Sequence, residues 1–108
     1  MLNVYADALV VAGDAAKMAE EIERKDRDLA NQLRRAASSV CLNVAEGGYS
    51  RGNNRWARYH SAQGSARETL ACAEVAVAMG YVRELDSVVI ARMNRVVGAL
   101  VKVGRGKA

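Results

Sequence analysis

Apolar residues recur three and four positions apart along most of this chain, a spacing that marks one face of an α-helix. Between Gln32 and Gly47 the run QLRRAASSVCLNVAEG places Leu33, Ala36, Ala37, Val40, Cys41 and Val44 on one such stripe. Ser39 and Asn43 join it where a plain core helix would use Leu or Ile. A small, partly polar inner face lets a neighbouring helix come close, and its polar groups then need hydrogen-bond partners. Gly47-Gly48 predicts where this helix stops.

The periodicity predicts helices over about 3–23, 28–46, 54–79 and 86–103. In the first, Tyr5, Leu9, Ala12, Ala16, Ala19 and Ile22 share a face, interrupted by Gly13 at about 1 kcal/mol relative to Ala. The charged stretch from Glu23 to Asp28 predicts the first turn, with Asp26 or Asp28 capping the second helix. Without that break a helix from 3 to 46 would extend roughly 65 Å, too long for a domain of this size. Gly47 to Asn53 predicts the second loop, and Asn53 or Asn54 the cap of the third helix. There Trp56, Tyr59, Gln63, Ala66, Leu70, Ala73 and Val77 form a near-heptad seam. Gly80 predicts its end and Asp86 caps the fourth helix, with Val89, Met93, Val96, Leu100 and Val103 inward. Short connections favour antiparallel neighbours, so the expected fold is a single all-α domain, an antiparallel up-and-down four-helix bundle.

Composition adds to this picture. The 108 residues are 51% hydrophobic, with no Phe, one Trp and four Tyr. Such an Ala- and Val-rich core is thin per residue, and an oligomeric interface would supplement it. Proline is absent, as suits an all-α chain. The net charge is +4, but residues 1–26 hold six acids against three bases and the remainder thirteen bases against six acids. That asymmetry predicts either a polyanion-binding face or an electrostatic match between subunits. Cys41 and Cys72 stand apart among apolar neighbours and read as buried thiols. With no basic leader, and with Asp7 and Asp14 interrupting the first apolar stretch, a cytoplasmic location is expected; no apolar run approaches the roughly 20 residues of a membrane span.

Catalytic chemistry is hard to place. The one histidine, His60, has no acid positioned to orient it, and a di-iron bundle needs paired Glu-x-x-His elements. No zinc spacing, phosphate-binding Gly loop or nucleophile elbow is present. No cofactor, metal or small-molecule substrate is expected, and the chain does not read as an enzyme. Glu46 and Glu68 fall too far apart along paired helices to share a proton; hydrogen bonds from backbone or arginine are expected, with Arg51 near Glu46 and Arg67 beside Glu68. Ser39, Asn43, Gly64 and Ser65 predict a close helix–helix contact with a satisfied polar network, rather than a ligand pocket.

The arginines carry the functional expectation. Arg34 and Arg35 lie off the apolar stripe of the second helix, while Arg51, Arg55 and Arg58 cluster beside Tyr49, Trp56 and Tyr59. Arg92, Arg95, Lys102, Arg105 and Lys107 make the fourth helix basic. Guanidinium forks phosphate and aromatic rings stack on unpaired bases, so this interleaving suits RNA. The bland alternative, arginines solvating an outer face around core aromatics, fits the same residues. Arg55 and Arg58 near a helix start oppose the helix dipole, which tilts the choice towards an external anion.

The run QLRRAASSVCLNVAEG, then Arg51, GSARETL at Gly64 to Leu70 and MGYV at Met79 to Val82, resembles a known family. These are the four-helix-bundle proteins encoded in bacterial large-subunit rRNA intervening sequences, among which falls the accessory variability protein of diversity-generating retroelements. The resemblance covers Gln32 to Val82, and Ser39, Asn43, Gly64 and Ser65 match its Asn-x-Ala-Glu-Gly and Gly-Ser blocks. It departs where members often carry an acid and Phe, here Arg55 and Trp56, and in lacking an N-terminal Trp and a Pro between the first two helices. The resemblance implies self-association into a ring, a pentamer first. The expected function is a non-enzymatic scaffold holding structured RNA or a ribonucleoprotein, with Arg34, Arg35, Arg51, Arg55 and Arg58 on phosphate and Tyr49 available for stacking. The alternative is an adaptor docking an acidic protein, such as a reverse transcriptase or another nucleic-acid enzyme, without touching nucleic acid.

Overall fold

Asp26 breaks what would otherwise be one long helix. Lys25 and Asp26 both donate their backbone N–H to Ile22 O at 2.9 Å, closing α1 (Val4–Glu23). Asp26 is extended, and its carboxylate accepts from Leu29 N at 2.9 Å, opening α2 (Arg27–Tyr49). α3 spans Gly52–Ala78 and α4 Ser87–Arg105. The computed structural model describes residues 4–84 and 86–105, the last without its side chain; the expected helix start at Asn3, the Arg105 side chain and Lys107 lie outside the described residues.

α3 ends as expected at Gly80, whose φ of +77° only glycine adopts cheaply. Gly80 N–H then reaches Val77 O at 3.0 Å and Tyr81 N–H reaches Ala76 O at 2.8 Å, satisfying carbonyls that the helix end would orphan. Asp86 caps α4, accepting from Val88 N at 2.8 Å.

The second loop differs from expectation. α2 continues through Gly47-Gly48 to Tyr49, and only Ser50 and Arg51 separate it from α3. Glycine permits a helix to end without forcing it, and here the carbonyls find donors further on. Ser50 Oγ donates to Glu46 O at 2.8 Å, and Arg55 Nε donates to Gly47 O at 3.2 Å and Ser50 O at 2.9 Å. Neither Asn53 nor Asn54 caps α3: the capping position is Arg51, which makes no side-chain capping bond, and Gly52 takes φ +57°.

The α1 face is rotated by one position as far as Ala15, while Ala19 and Ile22 lie inward as expected. Val4, Ala8, Val11, Ala15, Ala19 and Ile22 are buried, while Tyr5 and Leu9 are 42% and 49% exposed. The smaller stripe allows a closer approach to the bundle and brings Asp14 to Arg92, with Nε–Oδ2 at 2.8 Å and Nη2–Oδ1 at 2.9 Å. α3 turns similarly: Tyr59, Ala62, Ala66, Thr69, Cys72, Ala73 and Ala76 are buried, whereas Trp56, Gln63, Leu70 and Val77 are half-buried. Thr69 Oγ1 is reconciled to the interior by donating to Ser65 O at 2.8 Å.

The core has two centres. In one, Val11, Val40, Val44, Ala62, Ala66, Met93, Val96 and Leu100 join all four helices. In the other, Ile22, Leu29, Leu33, Ala37, Cys72, Ala76 and Val82 pack α1, α2 and α3 against the connection that follows α3. The whole is elongated, 43 × 23 × 19 Å, close to the roughly 40 Å of α3 alone.

Candidate nucleic-acid interface

Contacts between α2 and α3 build the corner where the arginines meet. Ser39 Oγ and Ser65 Oγ are 2.8 Å apart, and Asn43 Nδ2 donates to Ser39 O at 2.9 Å and Ser39 Oγ at 3.1 Å. Two turns on, Glu46 Oε2 meets Arg58 Nη2 at 3.0 Å. Beside it Gly47 lies so close to the Tyr59 ring that a Cβ there would stand 2.5 Å from Cε1.

Three expectations for this network change. Glu46 pairs with Arg58 in place of Arg51, because the shorter connection swings α3's second turn over Glu46. Gly64 is exposed, and a Cβ there would meet nothing within 4 Å; the glycine that permits close approach is Gly47. Glu68 is exposed and makes no hydrogen bond or ion pair among the described residues. Burial raises the Cys72 thiol, and the Glu68 charge raises it further. Burial likewise raises Cys41.

Around the α2–α3 connection the structure brings together Tyr49, Arg51, Arg55 and Arg58. Tyr49 is 93% exposed, Arg51 is exposed, Arg55 is anchored through Nε as above, and Arg58 is half-engaged with Glu46. Arg34 and Arg35 lie elsewhere, roughly 20 Å back along α2 from Tyr49. Arg34 Nη1 is held by Glu23 Oε1 at 2.6 Å and Asn31 Oδ1 at 3.2 Å, while Arg35 is exposed.

Next to the corner lies a groove of about 580 Å³, lined by Tyr5, Val44, Ala45, Gly48, Tyr49, Arg55 and Tyr59. Sequence reasoning missed Tyr5 here by assigning it to the core; the signal was a second stripe, Val4, Ala8, Val11 and Ala15, of equal period. A cleft of about 300 Å³ between the start of α3 and the end of α4 contains Asn53, Trp56, His60 and Gln63. His60 is exposed there with no acid among the cleft's residues. Among the described residues no cluster of His, Cys, Asp or Glu could hold a metal ion, and no helix is long and apolar enough to cross a membrane.

The family model of 23S rRNA-intervening sequence proteins matches residues 1–102. The chain belongs to this family. Among solved structures it is similar to a protein of unknown function from the S23 ribosomal protein family of Bacteroides thetaiotaomicron VPI-5482. That likeness has a TM-score of 0.85 at 16% identity and covers 94% of this chain and 98% of the other, so it shows a shared fold. No curated protein matches the chain. For a 23S rRNA-intervening sequence protein, the match takes in α1 and most of α4, both outside the span from Gln32 to Val82 that carries the sequence resemblance.

Proposed function

We propose that the protein is a non-enzymatic oligomeric scaffold that binds structured RNA or a ribonucleoprotein in the cytoplasm through its arginine-rich face. In this reading the bundle is up-and-down and antiparallel, and protomers close into a ring, a pentamer first. One observation carries it: a fully solvated tyrosine, Tyr49, stands beside Arg51, Arg55 and Arg58 at a single corner. The first turn of α3 holds no acid, and the nearby Glu46 is already neutralised by Arg58. Phosphate would meet Arg51 and Arg55 first, with Arg58 exchanging Glu46 for it. Arg34 and Arg35 would make a second contact for an RNA long enough to follow α2.

Neutralising Arg51, Arg55 and Arg58 together should weaken RNA binding and flatten its salt dependence, since each phosphate contact contributes to the slope. Affinity and slope equal to those of the unaltered protein would rule this face out.

An adaptor role remains as a second reading because Tyr5, Leu9, Val10 and Leu42 are all more than two-fifths exposed. An acidic helical partner, such as one presented by a reverse transcriptase, would bury these anchors as well as charge. Its binding would survive salt that releases RNA.

A further inference from the structure

We propose that the groove beside Tyr49 is a pocket for one unpaired base of the bound RNA, a refinement that rests on the RNA-binding reading above. Three helices each contribute a tyrosine to it: Tyr5 from α1, Tyr49 from α2 and Tyr59 from α3, three of the four in the chain. Between them the floor is low, because Gly48 has no side chain and the position of its Cβ faces open space. The volume of about 580 Å³ falls within the range of small-ligand sites, roughly 300–1,000 Å³.

The charge in the groove selects the occupant. Among the described residues Arg55 is its one cation, and no carboxylate lines it. Both hydrogen bonds of Arg55 use Nε, fixing the guanidinium on Gly47 O and Ser50 O. Its terminal nitrogens have no protein acceptor among the described residues. A ring stacked on Tyr49 or Tyr5 would leave a phosphate or a base-edge oxygen within the reach of those donors. The apolar flank of a second protein helix would instead bury them without acceptors, at the cost of their desolvation. A purine or pyrimidine nucleotide supplies a flat face, polar edge atoms and negative charge together.

Bases in an RNA duplex are stacked and paired, so only a loop, bulge or single strand can offer one to the groove. The backbone of that RNA would then cross Arg51 at the rim.

The test uses the full chain and two RNA probes of one sequence: a hairpin with 2-aminopurine in its loop, and a fully paired duplex. Binding is followed by anisotropy, base insertion by 2-aminopurine fluorescence, and assembly by light scattering. The unaltered protein is expected to prefer the hairpin and to change the fluorescence of the loop base. Because Tyr49 is solvated, Tyr49→Ala should fold normally and lose about 5- to 150-fold in hairpin affinity, with duplex affinity unchanged. Tyr49→Trp should restore both affinity and signal. If Tyr49→Ala binds both probes as the unaltered protein does while Arg51→Gln weakens both, the base pocket is overturned and the RNA reading stands. If neither probe binds, both fall. If Tyr49→Ala changes the assembled mass with RNA affinity intact, the groove lies between copies of this chain, and the base pocket is again overturned.

Discussion

Gly47 packs directly beneath the ring of Tyr59, so closely that one added methyl group would overlap Cε1 and Cδ1 at 2.5 and 2.8 Å. Tyr59 is 6% exposed, so displacing its ring disturbs buried packing. Gly47→Ala gains up to about 1 kcal/mol of helix propensity, but overpacking typically costs about 1–3 kcal/mol. A net loss is expected for Ala and a larger one for Val, read as a lower urea midpoint. A stabilised Gly47→Ala protein would show that the helices separate more easily here than the contact implies.

The Ser39–Ser65 contact joins the same two helices through hydroxyls. Replacing one serine with Ala should cost about 0.5–1.5 kcal/mol. Replacing both should cost less than the sum, because neither partner is then left unpaired. Chemical denaturation of the two single variants and the double variant checks this; strict additivity would mean that the hydroxyls do not act as a pair.

Asp14 and Arg92 tie α4 to α1 through two hydrogen bonds, with the Asp14 side chain 14% exposed. Asp14→Ala should destabilise by about 1–2 kcal/mol, since charged hydrogen bonds exceed neutral ones and Arg92 keeps some access to water. The loss should concentrate in α4, seen as faster amide exchange from Val89 to Leu100 than along α2.

Thiol chemistry gives a pH prediction. Burial raises both cysteines above the ordinary thiol value of 9.0, so the folded chain holds these protons more tightly than the unfolded one. Their contribution to stability is full below that value and declines as pH climbs through the raised folded values. The urea midpoint should drop between pH 8 and pH 10, and drop less in a Cys41→Ala, Cys72→Ala variant. Native protein at pH 8 should react slowly with a thiol reagent until denaturant is added.

Much of this fold was legible in the sequence because caps and periodicity act locally. Asp26, Gly80 and Asp86 each stop or start a helix through bonds to residues within five positions, and each does so in the structure. The face of α1 was less legible: Tyr5 and Leu9 share the period of Val4 and Ala8, and only packing against other helices decides between them. Gly47-Gly48 misled for a related reason, since the donor that lets α2 continue, Arg55, comes from the next helix. Ser39, Asn43 and Ser65 were recognised as a network from their size and polarity. The pairing of Glu46 with Arg58 depended on a connection two residues long. The arginine face was visible only as a cluster in sequence, and folding divided it, leaving Arg34, beside Glu23, and Arg35 back along α2 and gathering Arg51, Arg55 and Arg58 around Tyr49.

Light scattering of the purified full chain, at low and high salt and with and without a structured RNA, tests the scaffold reading most directly. The expected result is an oligomer whose mass includes RNA at low salt, with the 260/280 nm ratio rising accordingly, and which sheds the RNA at high salt while staying assembled. An oligomer of unchanged mass in the presence of RNA at low salt would contradict the RNA-binding claim, and a monomer under every condition would contradict the scaffold itself.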